Sequence, residues 1–326
     1  MGVISLIFTG GTISMTIDPE TGAASPSLAG DALLAAIADE LPPTRTIDWG
    51  KLPASHFRMS HVLEIARLVQ READDPEVDG VVVVQGTDSL DETAFAWDLL
   101  VLTEVPVIVV GAMRNASQPG FDGPQNLRDA ILAAADPRLR GLGVLVAMSG
   151  QLLGADDVTK THTTAYATFQ SPNHGALGHV GTDGVHLARR RTPVRLGSIP
   201  VAADARVALV TAALSLHDDD IPGPEHAAGF VVAAMGAGNT DARILAAARE
   251  WMAAGRPVVL ASRCASGAVT SGYGFDGGSS TWRAAGALYA GTLTPLKARV
   301  LLTLALACGL TPGELAAVFH AFGGGR

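Results

Sequence analysis

Two threonines stand beside glycines in short segments that follow apolar, β-branched stretches of the chain. Thr12 lies in the segment FTGGTI after the apolar run 3–7, and Thr87 lies in QGTDS after the valines 81–84. Ligands of open parallel sheets bind outside the carboxyl ends of the strands, so we expect both hydroxyls where chemistry takes place. Glycines there let the backbone turn sharply and let a substrate approach the main chain closely. The pattern predicts an enzyme that uses a hydroxyl group for acyl transfer.

A threonine hydroxyl is a weak nucleophile and needs a neighbouring base or polarising group. Asp88 directly follows Thr87, and Lys160 stands among hydroxyl residues and two carboxylates in the segment DDVTKTHTT. A Thr–Lys–Asp relay would activate either the threonine hydroxyl or a water molecule. Each residue also has an ordinary structural interpretation: Thr12 as a cap, Thr87 and Asp88 as turn residues, Lys160 as a surface charge. The combination favours catalysis.

The elements that must position these residues follow an alternating pattern. Short β-branched runs alternate with longer alanine- and leucine-rich segments of helical period, which is typical of βαβ units. We predict an α/β fold in two domains: a doubly wound, mostly parallel sheet with a smaller C-terminal α/β domain. The predicted strands are residues 3–8, 80–85, 106–110, 143–147, 206–211, 229–235 and 257–262. The predicted helices are residues 30–40, 60–73, 90–102, 124–135, 241–254, 295–306 and 312–322.

Several helix starts carry explicit capping signals. Ser89 and Glu92 have the spacing of a capping box, and so do Thr311 and Glu314. A proline follows both Thr311 and Thr294, at the favoured first helical position. These signals predict helix starts near residues 90, 295 and 312.

Three stretches have no clear helical or strand period and are predicted to be irregular: residues 18–29, 114–123 and 178–205. The first follows Thr12 closely and is rich in small residues. It is either a lid over the site, with Gly22 as its hinge, or an ordinary surface connection.

The last irregular stretch provides the predicted domain boundary. Its basic cluster, residues 189–191, stands close to a proline and is interpreted as a solvated loop. We predict an N-terminal domain over residues 1–190 that carries the threonine site, a linker over 191–204, and a C-terminal domain over 205–326.

Composition narrows the class of protein. The chain has 326 residues, of which 48% are hydrophobic and 17% charged, so it is long and apolar enough to fold into large cores. Its formal net charge of −9 argues against a nucleic-acid partner, which needs a basic surface. The longest apolar stretch, near residues 300–310, is shorter than a membrane span. We expect neither nucleic acid nor a membrane as partner.

Cysteine and histidine usage predicts the compartment and the absence of metal. The two cysteines, Cys264 and Cys308, are interpreted as unpaired thiols in a reducing cytoplasm. The N-terminus has neither the basic region nor the cleavage site of a signal peptide. Histidines are scattered without metal-ligand spacing. We therefore expect a cytoplasmic protein without a metal.

Three motifs resemble the bacterial-type L-asparaginase/glutaminase family: TGGTI at 9–13, QGTDSLDETA at 85–94, and DVTKTHTT at 157–164. The continuations TFQSPNHGALG, MGAGNTD and GTLTPLKARVLLTLAL also resemble the family, in order over nearly the whole chain. The resemblance implies hydrolysis of the side-chain amide of asparagine, and in some members of glutamine, to the acid and ammonia without a cofactor. It also implies a homo-oligomer, a dimer or a dimer of intimate dimers, with the site at the subunit interface.

The resemblance also implies roles for individual residues. Thr12 matches the nucleophile, while Thr87, Asp88 and Lys160 match a second catalytic set in which Lys160 assists Thr87. Backbone N–H groups at Gly11, Thr12, Thr87 or Asp88 are candidate donors to the oxyanion. An acyl-enzyme on Thr12 is the favoured mechanism, and direct attack by water activated at Thr87 is the alternative.

The predicted substrate contacts come from further motifs. Asp88 would bind the α-amino group and Ser55 the α-carboxylate of the substrate. His56 stands where glutamine is frequent in the family. Asp241, where asparagine is frequent, matches a site residue from the neighbouring subunit. The predicted substrate-binding residues are thus Gly11, Ser55, His56, Thr87, Asp88 and Asp241.

The sequence leaves several alternatives open. A glutaminase-leaning enzyme has the same motifs, and one methylene is worth only about 1–3 kcal/mol in a binding pocket. A catalytically silent amino-acid-binding protein on the same fold is another alternative, because many members carry a tyrosine in the loop after TGGTI and residues 18–29 contain none. If another residue replaces it, the 271–276 region is a candidate. The segment MGAGN at 235–239 is too incomplete for a dinucleotide-binding fingerprint.

Overall fold

The computed structural model describes residues 2–11, 13, 15–17, 24–26, 34, 37 and 41–324. The chain divides into two compact units, Met1–Ile199 and Pro200–Arg326. The assignment of residues 191–204 to a linker stays a prediction. None of the helices within the described ranges has both the length and the apolar character that a membrane-spanning helix needs.

The first unit contains a large sheet with helices packed on it. Its strands are β1 (Val3–Phe8), β2 (Met15–Ile17), β3 (Ala24–Pro26), β4 (Thr44–Asp48), β5 (Val78–Val84), β6 (Val107–Val110), β7 (Val144–Met148), β8 (Gln151–Gly154), β9 (Thr159–Lys160), β10 (Phe169–Gln170), β11 (Gly178–Gly181) and β12 (Gly184–Leu187). Its helices are α1 (Met59–Asp74), α2 (Leu90–Leu100) and α3 (Gly123–Ala134), with short 3₁₀ turns at Ala54–His56 and Pro137–Leu139.

Eight of these strands form one sheet in the order β12-β11-β8-β7-β6-β5-β1-β4. Neighbours from β4 to β7 are parallel, whereas β8, β11 and β12 are added in antiparallel fashion. The chain leaves β1 toward β4 on one side and returns to β5 on the other, so the strand order reverses between β1 and β5. Such a switch point opens a crevice at the carboxyl ends of the strands.

The apolar runs predicted as strands form the core of the first unit. The valines 81–84 are completely buried, as a parallel strand covered on both faces requires. Leu6, Ile108, Leu127 and Leu145 pack together in the same cluster. Burial of these aliphatic side chains stabilises β1 and β5, and with them the positions of the segments that follow.

The second unit is a smaller α/β layer. Its strands β13 (Val207–Thr211), β14 (Gly229–Ala234), β15 (Val258–Ser262) and β16 (Leu288–Tyr289) are all parallel in this order. Its helices are α4 (Ala242–Ala253), α5 (Ser279–Ala285), α6 (Pro295–Ala307) and α7 (Pro312–Phe319), and the described chain ends in the π-helical turn His320–Gly324. Phe230 stacks on Trp251 with ring centroids 5.0 Å apart in its core.

The predicted fold class is confirmed, but the expectation of an irregular stretch over residues 178–205 is wrong in its first part. There β11 and β12 form a hairpin in which His179 lies opposite His186. Each strand has four residues with a single β-branched residue, Val180 or Val185, so the pattern does not stand out from loop sequence. The expectation of an irregular segment over residues 18–29 is also wrong at Ala24–Pro26, which form β3 and pair with β2. The rest of that segment and most of the predicted helix 30–40 lie outside the described residues.

Two of the predicted caps are confirmed and one is wrong. Thr311 and Glu314 form a reciprocal capping box, and the Thr294 side chain accepts the N–H of Lys297. The Ser89 side chain does not cap its helix; its hydroxyl donates to the carbonyl of Ala54 at 2.8 Å. A tertiary contact replaces the local one, and it fastens the turn Ala54–His56 to the segment that follows β5.

The solvated loop predicted for residues 189–191 is wrong at Arg191, whereas Arg190 is exposed as predicted. Arg191 is buried, with 6% of its side chain exposed, and donates two hydrogen bonds to Asp98, at 3.0 and 2.6 Å. Burial lowers the pKa of Arg191, but the nearby carboxylates of Asp98 and Asp156 outweigh it and raise that pKa above its usual value. Arginine usually lies at the surface, whereas Arg191 fills a charged site inside the first unit.

Candidate active site

The site is built at the carboxyl ends of β1 and β5, on either side of the switch point. Thr9 directly follows β1, and both its N–H and its hydroxyl donate to the carbonyl of Val84, at 3.0 and 3.1 Å. Gly10 and Gly11 follow with φ of 104° and 95°, in the left-handed region that favours glycine. Thr9 is completely buried, so this turn is fastened to the core.

Gly11 and Gly86 bring the two strand ends into direct main-chain contact. A Cβ at Gly11 would lie 2.1 Å from the nitrogen of Gly86, and a Cβ at Gly86 would lie 3.1 Å from the Cα of Gly11. No side chain fits between the two backbones. The glycines predicted to allow a close approach therefore serve first to bring the two segments together.

Thr87 follows Gly86 and is buried, with 5% of its surface exposed. Its hydroxyl accepts a hydrogen bond from the Lys160 Nζ at 2.9 Å. The same Nζ donates to the Asp88 Oδ1 at 2.8 Å. The structure thus brings together three of the predicted catalytic residues in one contiguous Thr–Lys–Asp set.

Lys160 reaches this position from a two-stranded ribbon, in which it lies opposite Phe169. Its main-chain N–H donates to the Asp91 Oδ2 at 3.2 Å, in the first turn of α2. Lys160 is therefore fixed at both ends by the segment 87–91. Sequence reasoning missed Asp91; its place one helical turn after Asp88 is the signal that could have found it.

Ser55 and His56 lie in the 3₁₀ turn Ala54–His56, and both are exposed. The chain leading to this turn is held at the same edge, because Leu52 N–H donates to the carbonyl of Thr9 at 2.9 Å. A Cβ at Gly86 would lie 2.8 Å from the Cβ of Ala54. The turn that carries Ser55 and His56 is thus placed beside both strand ends.

Asp241 belongs to the second unit, where it caps α4. Its carboxylate accepts the N–H of Arg243 at 2.9 Å and lies 3.0 Å from the Nε of the same residue. These hydrogen bonds hold the pKa of Asp241 below its ordinary value. Arg243 in turn pairs with Asp218 at 2.7 Å. Asp241 therefore has a structural role of its own, beside the binding role predicted for it.

Thr12, the predicted nucleophile, lies outside the described residues. Its neighbours Gly11 and Ile13 are described, and both are buried. The role of Thr12 stays a prediction.

The open side of the Thr–Lys–Asp set offers space and hydrogen-bond donors. An open pocket of about 620 Å³ is lined by Asp88, Lys160, Thr161, His162 and Thr163. The main-chain N–H groups of Gly11, Thr87 and Asp88 have no acceptor within the part of the chain that the structure describes. Uncommitted N–H groups at a glycine-rich turn are suited to hold an oxyanion.

No cluster of three histidine, cysteine, aspartate or glutamate side chains within the described ranges is arranged to hold a metal ion. The expectation that the chain uses neither a metal nor a cofactor stays a prediction.

Comparison with known proteins gives a consistent result over the whole chain. The family model described as "Asparaginase, N-terminal" matches residues 3–193, and the one described as "Glutaminase/Asparaginase C-terminal domain" matches residues 202–319. A probable L-asparaginase of Deinococcus radiodurans is 34% identical, over 97% of this chain and 96% of that protein. A probable periplasmic L-asparaginase of Haemophilus influenzae is 33% identical, over 98% of this chain and 93% of that protein.

A solved structure resembles this chain closely in three dimensions. The crystal structure of a probable cytoplasmic L-asparaginase from Campylobacter jejuni superposes with a TM-score of 0.84 at 26% sequence identity. The superposition covers 98% of this chain and 99% of that one.

Proposed function

Since the chain belongs to the asparaginase family, we propose that it hydrolyses the side-chain amide of L-asparagine to L-aspartate and ammonia. The observation that carries the proposal is the Lys160 ammonium placed between the Thr87 hydroxyl, at 2.9 Å, and the Asp88 carboxylate, at 2.8 Å. This set lies at the switch point of the sheet, where ligands of such folds bind. Amide hydrolysis needs a nucleophile, a proton for the leaving ammonia, and donors for the oxyanion.

The proposed reaction has two steps. In the first, the Thr12 oxygen attacks the amide carbon and the hydroxyl proton passes to the leaving nitrogen. Ammonia departs and leaves an aspartyl ester on Thr12. In the second, water attacks the ester carbon and gives up a proton, so that aspartate and the free Thr12 hydroxyl are released. Thr87 and Lys160 handle the protons and the water, and Gly11, Thr87 and Asp88 offer their N–H groups to the oxyanion.

Substrate binding is proposed for the charged and polar residues around this set. An α-amino group carries a positive charge, which suits the exposed carboxylate of Asp88. We assign the Ser55 hydroxyl to the α-carboxylate of the substrate, and we assign the neighbouring His56 to substrate binding as well. Asp241 is assigned to the site of a neighbouring subunit, which makes the functional form a homo-oligomer, a dimer or a homotetramer built as a dimer of dimers.

The test separates the acyl-enzyme from direct attack by water. We expect the Thr12→Ala variant to lose ammonia release, and we expect the Thr87→Val variant, incubated with asparagine, to accumulate an aspartyl adduct on Thr12 in intact-mass spectra. An active Thr12→Ala enzyme would exclude the acyl-enzyme and favour water activated at Thr87. A wild-type chain that binds asparagine without releasing ammonia would instead be an amino-acid-binding protein.

The second candidate function is a glutaminase-leaning amidohydrolase. Its support is the departure at His56 and Asp241, the two positions of the substrate shell that differ from the frequent family residues. One methylene changes kcat/KM by only about 10- to 200-fold, so the motifs alone do not fix the preferred amide. The measured ratio of kcat/KM for asparagine and glutamine decides between the two functions.

We propose the cytoplasm as the compartment. The structural neighbour from Campylobacter jejuni is called cytoplasmic, and Cys264 is a free thiol. The Haemophilus influenzae relative is called periplasmic, so the periplasm is the alternative. Fractionation of the native host, with ammonia release as the assay, distinguishes the two.

A further inference from the structure

Tyr166 connects three loops at the carboxyl edge of the large sheet. Its hydroxyl donates to the carbonyl of Gly120 at 2.6 Å. Its ring lies under the guanidinium of Arg114, whose central carbon is 4.2 Å from the ring centroid. Its own carbonyl accepts the hydroxyl of Ser149 at 2.8 Å. We call this set of contacts the Tyr166 clasp.

The clasp joins the segments that follow β6 and β7 to the loop that follows Lys160. Gly120 and Arg114 belong to segment 111–122, which continues β6, and Ser149 follows β7 directly. Tyr166 belongs to loop 161–168, between β9 and β10. Asn126 also connects the first two segments, since its side chain donates to the carbonyl of Gly111 at 3.1 Å and accepts the N–H of Ser149 at 3.1 Å.

Segment 111–122 borders both halves of the site. A Cβ at Gly111 would lie 3.0 Å from the Cγ2 of Thr87. At the other end, a Cβ at Gly123 would lie 2.4 Å from the Phe121 ring and 3.0 Å from the Cγ1 of Ile13, the residue after Thr12. A shift of this segment would therefore change the packing against both Thr87 and Ile13.

Loop 161–168 is braced internally, so Tyr166 is coupled to Lys160. Thr161 N–H donates to the carbonyl of Thr168 at 2.8 Å, and His162 N–H donates to the Thr168 hydroxyl at 2.9 Å. The N–H groups of Thr164 and Ala165 both donate to the Nδ1 of His162, at 3.0 Å. These hydrogen bonds connect the loop that carries Tyr166 to the ribbon that carries Lys160.

The backbone is shaped for these contacts. Gly120 has φ of 73°, and a Cβ there would lie 2.4 Å from the Tyr166 hydroxyl oxygen and 2.8 Å from an Arg114 nitrogen. Ser149 has φ of 51°, an uncommon conformation for a residue with a side chain. Such strained residues persist where the surrounding structure holds them, and they cluster at functional sites.

We propose that Tyr166 is a positioning residue: through the clasp it holds the Lys160 ribbon and segment 111–122 in register around the hydrolytic site. The role rests on the proposed function. The phenol is engaged by Gly120 and acts on the loops, not on the reacting atoms. Loss of its hydrogen bond loosens the Lys160–Thr87 geometry, so the chemical step slows while substrate binding is retained.

The test compares two tyrosines with the same chemistry. Tyr166→Phe removes one phenol-to-carbonyl bond and keeps the ring under Arg114. The matched control is Tyr289→Phe in the second unit, where the phenol donates to the carbonyl of Ser279 and the ring lies 4.4 Å from Arg283. We expect Tyr166→Phe to lower kcat for asparagine about 3- to 10-fold, which corresponds to the net free energy of one hydrogen bond. KM should change by less than about 2-fold. Tyr289→Phe keeps the wild-type kcat.

Amide hydrogen exchange supplies a readout that does not depend on turnover. We expect faster exchange in segment 111–122 and in loop 161–168 of Tyr166→Phe, and in neither of them in Tyr289→Phe. Tyr166→Ala, which also loses the stacking on Arg114, enlarges both effects. Unchanged kcat or unchanged exchange in Tyr166→Phe, with an active wild type, overturns the clasp and leaves the proposed function standing. A wild type that releases no ammonia from asparagine overturns the proposed function, and the positioning role with it.

Discussion

Two ion pairs join α2 and its leading turn to later parts of the first unit, and they differ in almost every physical respect. Lys160 and Asp88 meet at 2.8 Å, with 18% and 67% of their side chains exposed. Arg191 and Asp98 meet at 2.6 Å, with 6% and 1% exposed. One pair stands at the edge of the sheet beside an open pocket, and the other is closed off from solvent.

The two pairs also differ in how their hydrogen-bonding capacity is used. Asp98 is fully engaged: Arg191 donates to both of its oxygens, and Val144 N–H donates to Oδ1 at 2.7 Å. The open pair shares its lysine with the Thr87 hydroxyl, and the carboxylate of Asp88 faces solvent. A saturated pair holds a structure, whereas a pair with free capacity is suited to bind and to transfer protons.

The largest expected effect comes from breaking the open pair. Lys160→Met removes the group that contacts both Thr87 and Asp88, so we expect kcat/KM for asparagine to fall about 10²- to 10⁴-fold. The free energy of unfolding should change by less than about 1 kcal/mol, because partly exposed pairs contribute little to stability. Ammonia release and urea unfolding measure the two quantities. A variant that loses stability but keeps activity would reverse the assignment of this pair.

Breaking the buried pair should have the opposite outcome. Asp98→Ala leaves Arg191 with Asp156 as its remaining carboxylate partner, at 3.2 Å, and removes the acceptor of the buried Val144 N–H, so we expect a loss of about 3–5 kcal/mol in the free energy of unfolding. Activity per folded molecule, measured well below the melting temperature, should stay within about 2-fold of the wild type. As a control, Asp98→Leu combined with Arg191→Met should recover most of that stability, because apolar replacement of a buried pair is often neutral.

The smallest expected effects concern Asp241, whose carboxylate is engaged by Arg243 yet is proposed to bind substrate. Asparagine caps helices as well as aspartate does, so Asp241→Asn should leave the free energy of unfolding nearly unchanged, whereas Asp241→Ala should lower it. If the residue also contacts substrate, Asp241→Asn should raise KM about 2- to 10-fold, the effect of one weakened polar contact. Unchanged KM would leave Asp241 as a cap alone.

The same carboxylate gives a pH dependence of known sign. Its pKa is depressed in the folded chain because Arg243 bonds to the charged form. Its contribution to stability is therefore present above the unfolded pKa, near 4, and is lost as the pH falls through the folded value. Urea unfolding of the wild type between pH 6 and pH 3 should show this loss, and Asp241→Asn should lack that component.

The sheet and its switch point were predictable because their signal is dense. Buried parallel strands need uninterrupted β-branched runs, and residues 81–84 supply one that ends directly at Gly86 and Thr87. The meeting of Thr87, Asp88 and Lys160 was also predicted, although Lys160 lies 72 residues after Asp88. There the residue types suggested a Thr–Lys–Asp relay, and the motif resemblance supported the pairing over this long distance in sequence.

The residues that sequence reasoning missed or misjudged are those whose partners lie far away. Ser89 has the spacing of a cap but bonds to Ala54, and Arg191 has surface chemistry but pairs with Asp98. Asp91 and Tyr166 look like ordinary helix and loop residues until the ribbon carrying Lys160 is placed beside them. Local propensity describes one segment at a time, and these roles depend on which segments the fold brings together.

The main-chain contact between Gly11 and Gly86 has a practical consequence for engineering. Because no side chain fits between them, saturation mutagenesis at either position should return almost only glycine among active clones. Single substitutions at Gly11 or Gly86 therefore cannot be used to adjust the distance between the two strand ends. A library meant to retune amide preference should leave both glycines fixed and vary the exposed residues of the surrounding rim, Ser55, His56 and Thr163.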